Sequence, residues 1–386
     1  MAHRGPDDEG VYVTPGRRAG LANRRLAIRD LSPAGHMPMA AGDGRVQITY
    51  NGEIYNAAEL RAELETAGYH FRSHSDTEVV LNGYRAWGED VVNRLRGMFA
   101  FVILDQRPGD GDAYRVMVAR DQMGIKPLYY AQTAGALVIA SELKALLASG
   151  LVGQEISPAG LVGYLLLGSV PNPLTIYEGI GALPPASKMV VDGGNLSKAR
   201  PRSYWQLPAG TSEDLDAGSV VEAVRAALAE AVRIRLVGDV PLGAFLSGGL
   251  DSSSVVALMR EATAGPIRTC SMVFEEGEYS EAGYARAVAE KVGAEHYERV
   301  ITAQDVIRSL DQILGAMDQP TIDGVNTYFV SQTAREAGLT VALSGLGGDN
   351  VCVHLDTTRC DDSCPDDGNP GQEDVDGDAI GDACDN

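Results

Sequence analysis

Cysteine is almost missing from the first 350 residues. Cys270 stands alone there, and the other four of the five cysteines, Cys352, Cys360, Cys364 and Cys384, fall in the last 36 positions. A single thiol cannot cross-link a domain, so residues 1–350 read as a chain of a reducing compartment, whereas four thiols in a short stretch imply an oxidising one. Long apolar runs are also lacking: residues 161–170 are the longest candidate, against the roughly 18 that a membrane helix needs. The start is charged and has no apolar leader segment, so export is not expected and the cytoplasm is, although the end of the chain alone would suggest an extracellular setting. Basic charge is scarce, with 32 Lys and Arg against 53 Asp and Glu, and the formal net charge is −21. That balance excludes nucleic acid and anionic membranes as expected partners.

What is present is room for two globular domains and a tail: 386 residues, 45% of them apolar. The most informative stretch is Ser247-Gly248-Gly249-Leu250-Asp251-Ser252-Ser253. It follows a short apolar run, residues 241–246, that reads as a buried strand. It leads into 252–260, where Val255, Val256, Leu258 and Met259 recur at helical spacing. The first N–H groups of a helix have no partner within it, so such a turn is a ready anion site. Gly248 and Gly249 let the main chain approach an anion without a Cβ in the way, and Ser247, Ser252 and Ser253 add hydroxyl donors. Asp251 would repel a bare phosphate, which points to a bridging Mg²⁺ and hence to ATP. The lysine of a Walker loop is absent. Taken alone, the stretch also fits an ordinary strand-to-helix turn.

Further on, strands are expected over 267–274, 297–301 and 339–343, and helices over 280–292, 305–314 and 327–337. Alternation of this kind predicts a parallel sheet with ligands at the strands' carboxyl ends. A second such end carries Ser344-Gly345-Leu346-Gly347-Gly348-Asp349, so Asp251 and Asp349 could share one Mg²⁺ and one polyphosphate. In the front half, 46–50 reads as a strand that places Asn51 and Gly52 at its end, and Asn56 with Glu59 reads as a cap opening a helix through Leu60 and Leu64 closed by Gly68. Residues 99–104 and 116–119 read as further strands, with Phe99, Phe101 and Ile103 as core. A domain boundary is expected near 203–216, before a helix over 220–235.

Residues 247–253 together with 344–349 resemble the ATP-pyrophosphatase half of glutamine-dependent asparagine synthetases. Upstream, His3-Arg4-Gly5-Pro6-Asp7-Asp8-Glu9-Gly10, Asn23-Arg24-Arg25-Leu26, Tyr50-Asn51-Gly52-Glu53-Ile54-Tyr55-Asn56, Ser75-Asp76-Thr77-Glu78, Gly97-Met98-Phe99-Ala100-Phe101, residues 121–130 and Ser141-Glu142-Leu143-Lys144 resemble blocks of the same family's class II glutaminase domain. β-Lactam synthetases share the architecture. The resemblance implies incomplete α+β glutaminase layers of the N-terminal-nucleophile type over 1–205. An incomplete α/β parallel-sheet ATP-pyrophosphatase domain would follow over 206–349, and a small irregular calcium-type tail over 350–386. It also implies glutamine, aspartate and ATP as substrates, β-aspartyl-AMP as intermediate, and allows a homodimer.

By the same resemblance, Asn51 and Gly52 would form the oxyanion hole, suited to the task as a side-chain amide and a backbone N–H. Arg25, Glu53 and Asp76 would hold glutamine, with opposite charges for the two ends of a zwitterion. Leu246, Ser247, Gly248, Gly249, Asp251, Ser252, Met272, Ser344 and Gly345 would contact ATP. On their own, Arg25 also fits a surface ion pair and Asp76 a helix N-cap.

Two departures bear on activity. The family's nucleophile is an amino-terminal cysteine, whose own α-amine serves as base; none stands in the front half. Glutamine hydrolysis is therefore expected to be lost, and a strand of the front sheet to be missing. In the later motif Leu346 stands where relatives commonly carry an acidic residue, and Asn350-Val351-Cys352 replaces a Glu-Leu-Phe-Gly-Gly-Tyr continuation. The last 36 residues hold ten Asp, one Glu and one basic residue, Arg359. Such a segment cannot build an apolar core. Asp374, Asp376, Asp378 and Asp382 alternate around glycines as Ca²⁺ ligands do, and with the cysteines the stretch resembles a thrombospondin type 3 repeat. It also fits a disordered acidic tail. The expectation is a synthetase reading frame joined to unrelated coding sequence.

Overall fold

The computed structural model describes residues 1–107, 114–208, 216–274 and 281–345. Asp349, Leu346 and everything expected of the tail, including its four cysteines and four aspartates, lie outside the described residues.

In the front half the chain runs β1 (Asp8–Val13), β2 (Gly20–Arg25), β3 (Met39–Ala40), β4 (Val46–Ile54), α1 (Ala57–Thr66), α2 (Asp76–Trp87), β5 (Gly97–Asp105) and β6 (Arg115–Arg120). It continues through β7 (Tyr129–Gln132), β8 (Leu137–Ala140), α3 (Leu143–Ala148), α4 (Pro158–Leu167), β9 (Ile180–Ala182), β10 (Ser187–Asp192) and β11 (Arg202–Ser203). The main sheet has the order β11-β10-β6-β5-β4-β3, and its five strand pairings are antiparallel. Its middle strand, β5, shows why these are layers: side chains alternate across a strand. Phe99, Phe101 and Ile103 pack with Leu60, Leu64, Val80 and Tyr84 of α1 and α2, whereas Ala100, Val102 and Leu104 pack with Leu128, Leu183 and Val191 on the other face. The smaller sheets are β1-β2 and β8-β7-β9. Among the described residues β2 and β8 are edge strands, and both line one cavity of about 1390 Å³ floored by Ala100, Val102 and Leu104.

The back half runs α5 (Ala217–Arg235), β12 (Leu242–Phe245), α6 (Leu250–Ala262), β13 (Ile267–Phe274), α7 (Ala282–Val292), β14 (Ala294–Ile301), α8 (Ala303–Ala316), α9 (Gly324–Glu336) and β15 (Val341–Leu343). The strands form a parallel sheet in the order β14-β13-β12-β15. One core joins Val232, Val256, Met259 and Ala285 of α5, α6 and α7 to Ala244 and Leu343. Other cores seat Ala334 and Phe329 of α9 with Cys270 and Ile301. Apolar burial of about 25 cal/mol per Å² is the main force holding these layers.

Four local expectations are corrected. β4 does not stop at Tyr50: Asn51 and Gly52 lie inside it, opposite Ala100 and Phe99 of β5. The polar residues that broke the apolar pattern are tolerated because this part of the strand lines a cavity. Asn56 makes no side-chain cap to α1; its amide instead donates to the Arg94 carbonyl and accepts from the Arg96 N–H. α6 opens at Leu250, two residues early, on the N-cap Gly249. β14 starts at Ala294 because its whole length pairs with β13.

The two halves touch along two seams. At the first, the Asp239 N–H donates to the Ile28 carbonyl (2.9 Å) and the Asp30 N–H donates to Asp239 Oδ2 (3.0 Å). At the second, the Asp318 carboxylate accepts from the first N–H groups of α3, Leu143 and Lys144 (2.7 and 3.1 Å).

Candidate active sites

The cavity between the front sheets collects the residues expected to hold glutamine. Arg25, Asn51, Gly52, Glu53 and Asp76 line it, together with Arg29, Ser75 and Lys126. β3 pairs only with Gln47 and Ile48, so the remainder of β4 is free to line the pocket. Gly52 is required by close packing, because a Cβ there would stand 2.3 Å from the Met98 carbonyl oxygen.

Asp76 is not a helix cap. Ser75 caps α2 by accepting from the Thr77 N–H, and the Asp76 carboxylate accepts from the Tyr50 hydroxyl (2.7 Å) and the Ile54 N–H (2.8 Å). Burial raises its pKa against the pull of those hydrogen bonds. Burial, followed by the charge of Asp76, pushes Glu53 up from 4.5 to about 8, opposed by Arg29 and Lys126. Arg29 Nε and Glu53 Oε2 meet at 2.8 Å, yet neither atom has an aligned hydrogen-bond partner. The contact therefore leaves donor capacity on Arg29 and acceptor capacity on Glu53. Burial pushes the Lys126 ammonium down, and the Glu53 charge partly restores it.

Arg25 is not a surface ion pair either. It is buried and donates to the carbonyls of Ser32 (3.3 Å), Arg29 (3.1 Å) and Asp30 (2.5 Å), fixing the 29–32 turn at the pocket wall. Gly35 leaves room for that guanidinium, since a Cβ would lie 2.1 Å from Arg25 Nη2. Sequence reasoning did not single out Arg29 or Lys126. The available signal was their position, Arg29 just after the Asn23 to Leu26 block and Lys126 inside the block over 121–130.

The second site lies at the carboxyl ends of β12 and β15, which are neighbours in the sheet. Ser247 Oγ and Ser252 Oγ are 3.0 Å apart, the Gly249 N–H donates to Ser247 Oγ, and Ser252 Oγ donates to the Gly249 carbonyl. These bonds fold the turn tightly over the start of α6. Gly248 has φ +99°, and a Cβ there would meet Tyr284 Cβ at 2.7 Å. Gly249, the N-cap, has no side chain to satisfy the helix's first N–H groups, which leaves them for an anion. Gly345 packs directly on this turn: a Cβ there would lie 2.8 Å from both Asp251 C and Ser252 N. The structure thus brings together Ser247, Gly248, Gly249, Asp251, Ser252 and Gly345. Leu246 is buried beside them, its N–H donating to the Cys270 carbonyl, and Ser344 precedes Gly345 directly after β15. Met272, on β13, is partly buried and packs against the core of Ile301 and Phe329. The donor set suits Mg²⁺ bound with a polyphosphate, one carboxylate from Asp251 and the remaining oxygens from phosphate; among the described residues no group of three His, Cys, Asp or Glu could hold a metal. No helix among the described residues is long and apolar enough to cross a membrane.

Comparison with known proteins gives each half a counterpart. Residues 1–205 match the family model of the glutamine amidotransferase domain, and residues 223–358 match that of asparagine synthase. The latter reaches nine residues beyond Asp349. A Methanocaldococcus jannaschii protein named "Putative asparagine synthetase (glutamine-hydrolyzing) 2" is 37% identical over 390 residues, covering 94% of this chain and 73% of that protein. Asparagine synthetase (glutamine-hydrolyzing) 1 of Bacillus subtilis is 36% identical over 358 residues, covering 91% of this chain and 54% of that protein. Amidase chry2 of Gibberella zeae is 30% identical over 381 residues, covering 94% of this chain and 55% of that protein.

Proposed function

Because the chain belongs to the asparagine synthetase family with glutamine amidotransferase and asparagine synthase domains, we propose that it serves ATP-dependent amidation of aspartate. Over 1–205 it would bind glutamine, and over 206–349 Mg-ATP. The observation that carries this reading is the packing of Gly345 on the Asp251–Ser252 backbone, which joins two strand-end turns into one anion cradle.

In this reading an aspartate β-carboxylate oxygen attacks the α-phosphorus, pyrophosphate leaves, and ammonia displaces AMP from the acyl carbon. Ser247, Gly248, Gly249, Ser252 and Gly345 would hold phosphate oxygens through N–H and O–H donors, Leu246, Met272 and Ser344 would contact the nucleoside side, and Asp251 would hold the Mg²⁺, with Asp349, which lies outside the described residues, as the second carboxylate expected from the sequence. The ion, when bound, screens the charge of the polyphosphate and of the leaving pyrophosphate. In the front pocket Asn51 and the Gly52 N–H serve as oxyanion donors, while Asp76 and Glu53 receive the glutamine amine. Arg25 acts on the glutamine carboxylate, with its wall turn held in place by the same guanidinium.

Among the described residues the one thiol is Cys270. It is buried in the back domain, and burial pushes it up to about 11. An ATP-using synthetase of this kind fits the cytoplasm. A β-amino acid acceptor, as in β-lactam synthetases, is the competing ligase reading.

Calorimetric titration with Mg-ATP is the test. Parent protein binds, and Asp251→Ala binds at least about tenfold more weakly, as expected for losing a charged ligand group. Equal affinity would remove the ATP reading. For 350–386 the separate reading is Ca²⁺ held by Asp374, Asp376, Asp378 and Asp382; a Ca²⁺ titration without a chelator-reversible change in that segment would reject it.

A further inference from the structure

The front cavity is basic inside an acidic chain. Arg and Lys outnumber Asp and Glu seven to three along its lining, although the whole chain carries −21. Three of those cations, Arg25, Arg29 and Lys126, gather with Glu53 and Asp76 where the glutamine site is read. Two of them have partners. Arg25 holds the carbonyls of the 29–32 turn, and Arg29 stands against Glu53. Lys126 Nζ has neither a hydrogen bond nor an ion pair among the described residues.

The backbone of Lys126, by contrast, is pinned. Its N–H donates to Asp121 Oδ2 (3.0 Å), the oxygen that also accepts from the Phe99 N–H (3.1 Å), and its carbonyl accepts from Arg120 Nε (2.8 Å). Phe99 lies opposite Gly52 in the sheet, so Asp121 sets the root of the lysine beside the Gly52–Glu53 stretch of β4. A charge drawn out of water without a partner costs free energy, so a rigid loop that holds one against a cavity wall calls for an anion from outside. The local anions do not meet the need. Burial and the Asp76 charge push Glu53 up to about 8, which leaves it largely protonated near neutral pH, and Arg4 adds positive charge on the Lys126 side. Burial also pushes the Lys126 ammonium down, as expected where negative charge is short.

We propose that Lys126 is a specificity-determining residue of the front pocket: its ammonium takes the side-chain carboxylate of an acidic amino acid, so that the pocket holds L-glutamate more tightly than L-glutamine. This rests on the reading of the cavity as an amino-acid site, with Asp76 on the ligand's amine and Arg25 on its α-carboxylate. Glutamine presents a neutral amide at the same place, which offers the lysine an oxygen but no charge to balance. A hydrogen bond between two charged groups is roughly twice as strong as a neutral one. Arginine at this position keeps the charge, whereas methionine keeps only the stem.

The experiment is calorimetric titration of L-glutamate and of L-glutamine into the full chain near neutral pH, for parent, Lys126→Arg and Lys126→Met, with circular dichroism checking each fold. The parent is expected to bind L-glutamate about tenfold more tightly than L-glutamine. Lys126→Arg keeps most of that preference and Lys126→Met abolishes it, a change of ratio that a merely structural lysine would not produce. The parent's own preference needs no variant to fold. A parent that binds L-glutamine as tightly as L-glutamate or more so, or a preference unchanged in a folded Lys126→Met, overturns the assignment while leaving the amino-acid site standing. Failure of the parent to bind either amino acid overturns the reading of the cavity itself, and the preference with it.

Discussion

Glu53 is a carboxylate of the front pocket whose ionisation the fold opposes. Its folded pKa of about 8 stands above the ordinary 4.5 because burial and the Asp76 charge oppose ionisation more than Arg29 and Lys126 favour it. A raised folded pKa means that the native state holds a proton the unfolded chain has released. The stability this contributes is full below pH 4.5 and is lost as pH rises through about 8. Glu53→Gln is therefore expected to flatten the fall of melting temperature between those two pH values, measured by calorimetry across that window; an unchanged slope would contradict the assignment. Asp121 is a fully buried carboxylate that accepts from the N–H groups of Phe99, Met123, Ile125 and Lys126. Asp121→Ala orphans those donors and is expected to destabilise the front domain by about 3 kcal/mol or more, read from chemical denaturation.

The turn between β12 and α6 works as an element because two glycines remove side chains where other backbone must pass. Gly248→Ala forces a Cβ into Tyr284 and Ala285 at a positive φ, at a cost of about 1–3 kcal/mol. Gly345→Ala separates the β15 end from α6 by the same steric logic. Both variants are expected to weaken Mg-ATP binding about tenfold or more while far-UV circular dichroism stays close to that of the parent. ATP affinity equal to the parent's would show that the two turns do not act together. This element was legible in the sequence, since apolar runs, glycine pairs and helical spacing are local signals; 267–274 was read to the residue. What escaped was set by distant parts of the chain. β4 continues past Tyr50 because β5 lies alongside it, and Asn56 leaves its helix because the Arg94 and Arg96 backbone offers better partners. Arg29 and Lys126 look like ordinary surface charges until the fold buries them beside Glu53. Arg25 and Asp76 were picked out by family likeness, but not the carbonyls and the hydroxyl that they engage.

At the scale of the whole molecule the two seams decide whether two domains act as one. Asp318 ties α8's end to the start of α3, and the Gln319 side chain accepts from the Ile176 N–H (2.9 Å). Asp318→Ala is expected to loosen this seam without melting either core, seen as a second thermal transition where the parent has one. A single unshifted transition would place the coupling elsewhere. If the back domain activates aspartate with Mg-ATP, as proposed, labelled pyrophosphate exchanges into ATP only in the presence of aspartate. The parent is expected to show exchange that needs both Mg²⁺ and aspartate and that falls at least about a hundredfold in Asp251→Ala. Exchange indifferent to Asp251, or its absence from a parent shown to bind Mg-ATP and aspartate, would contradict it.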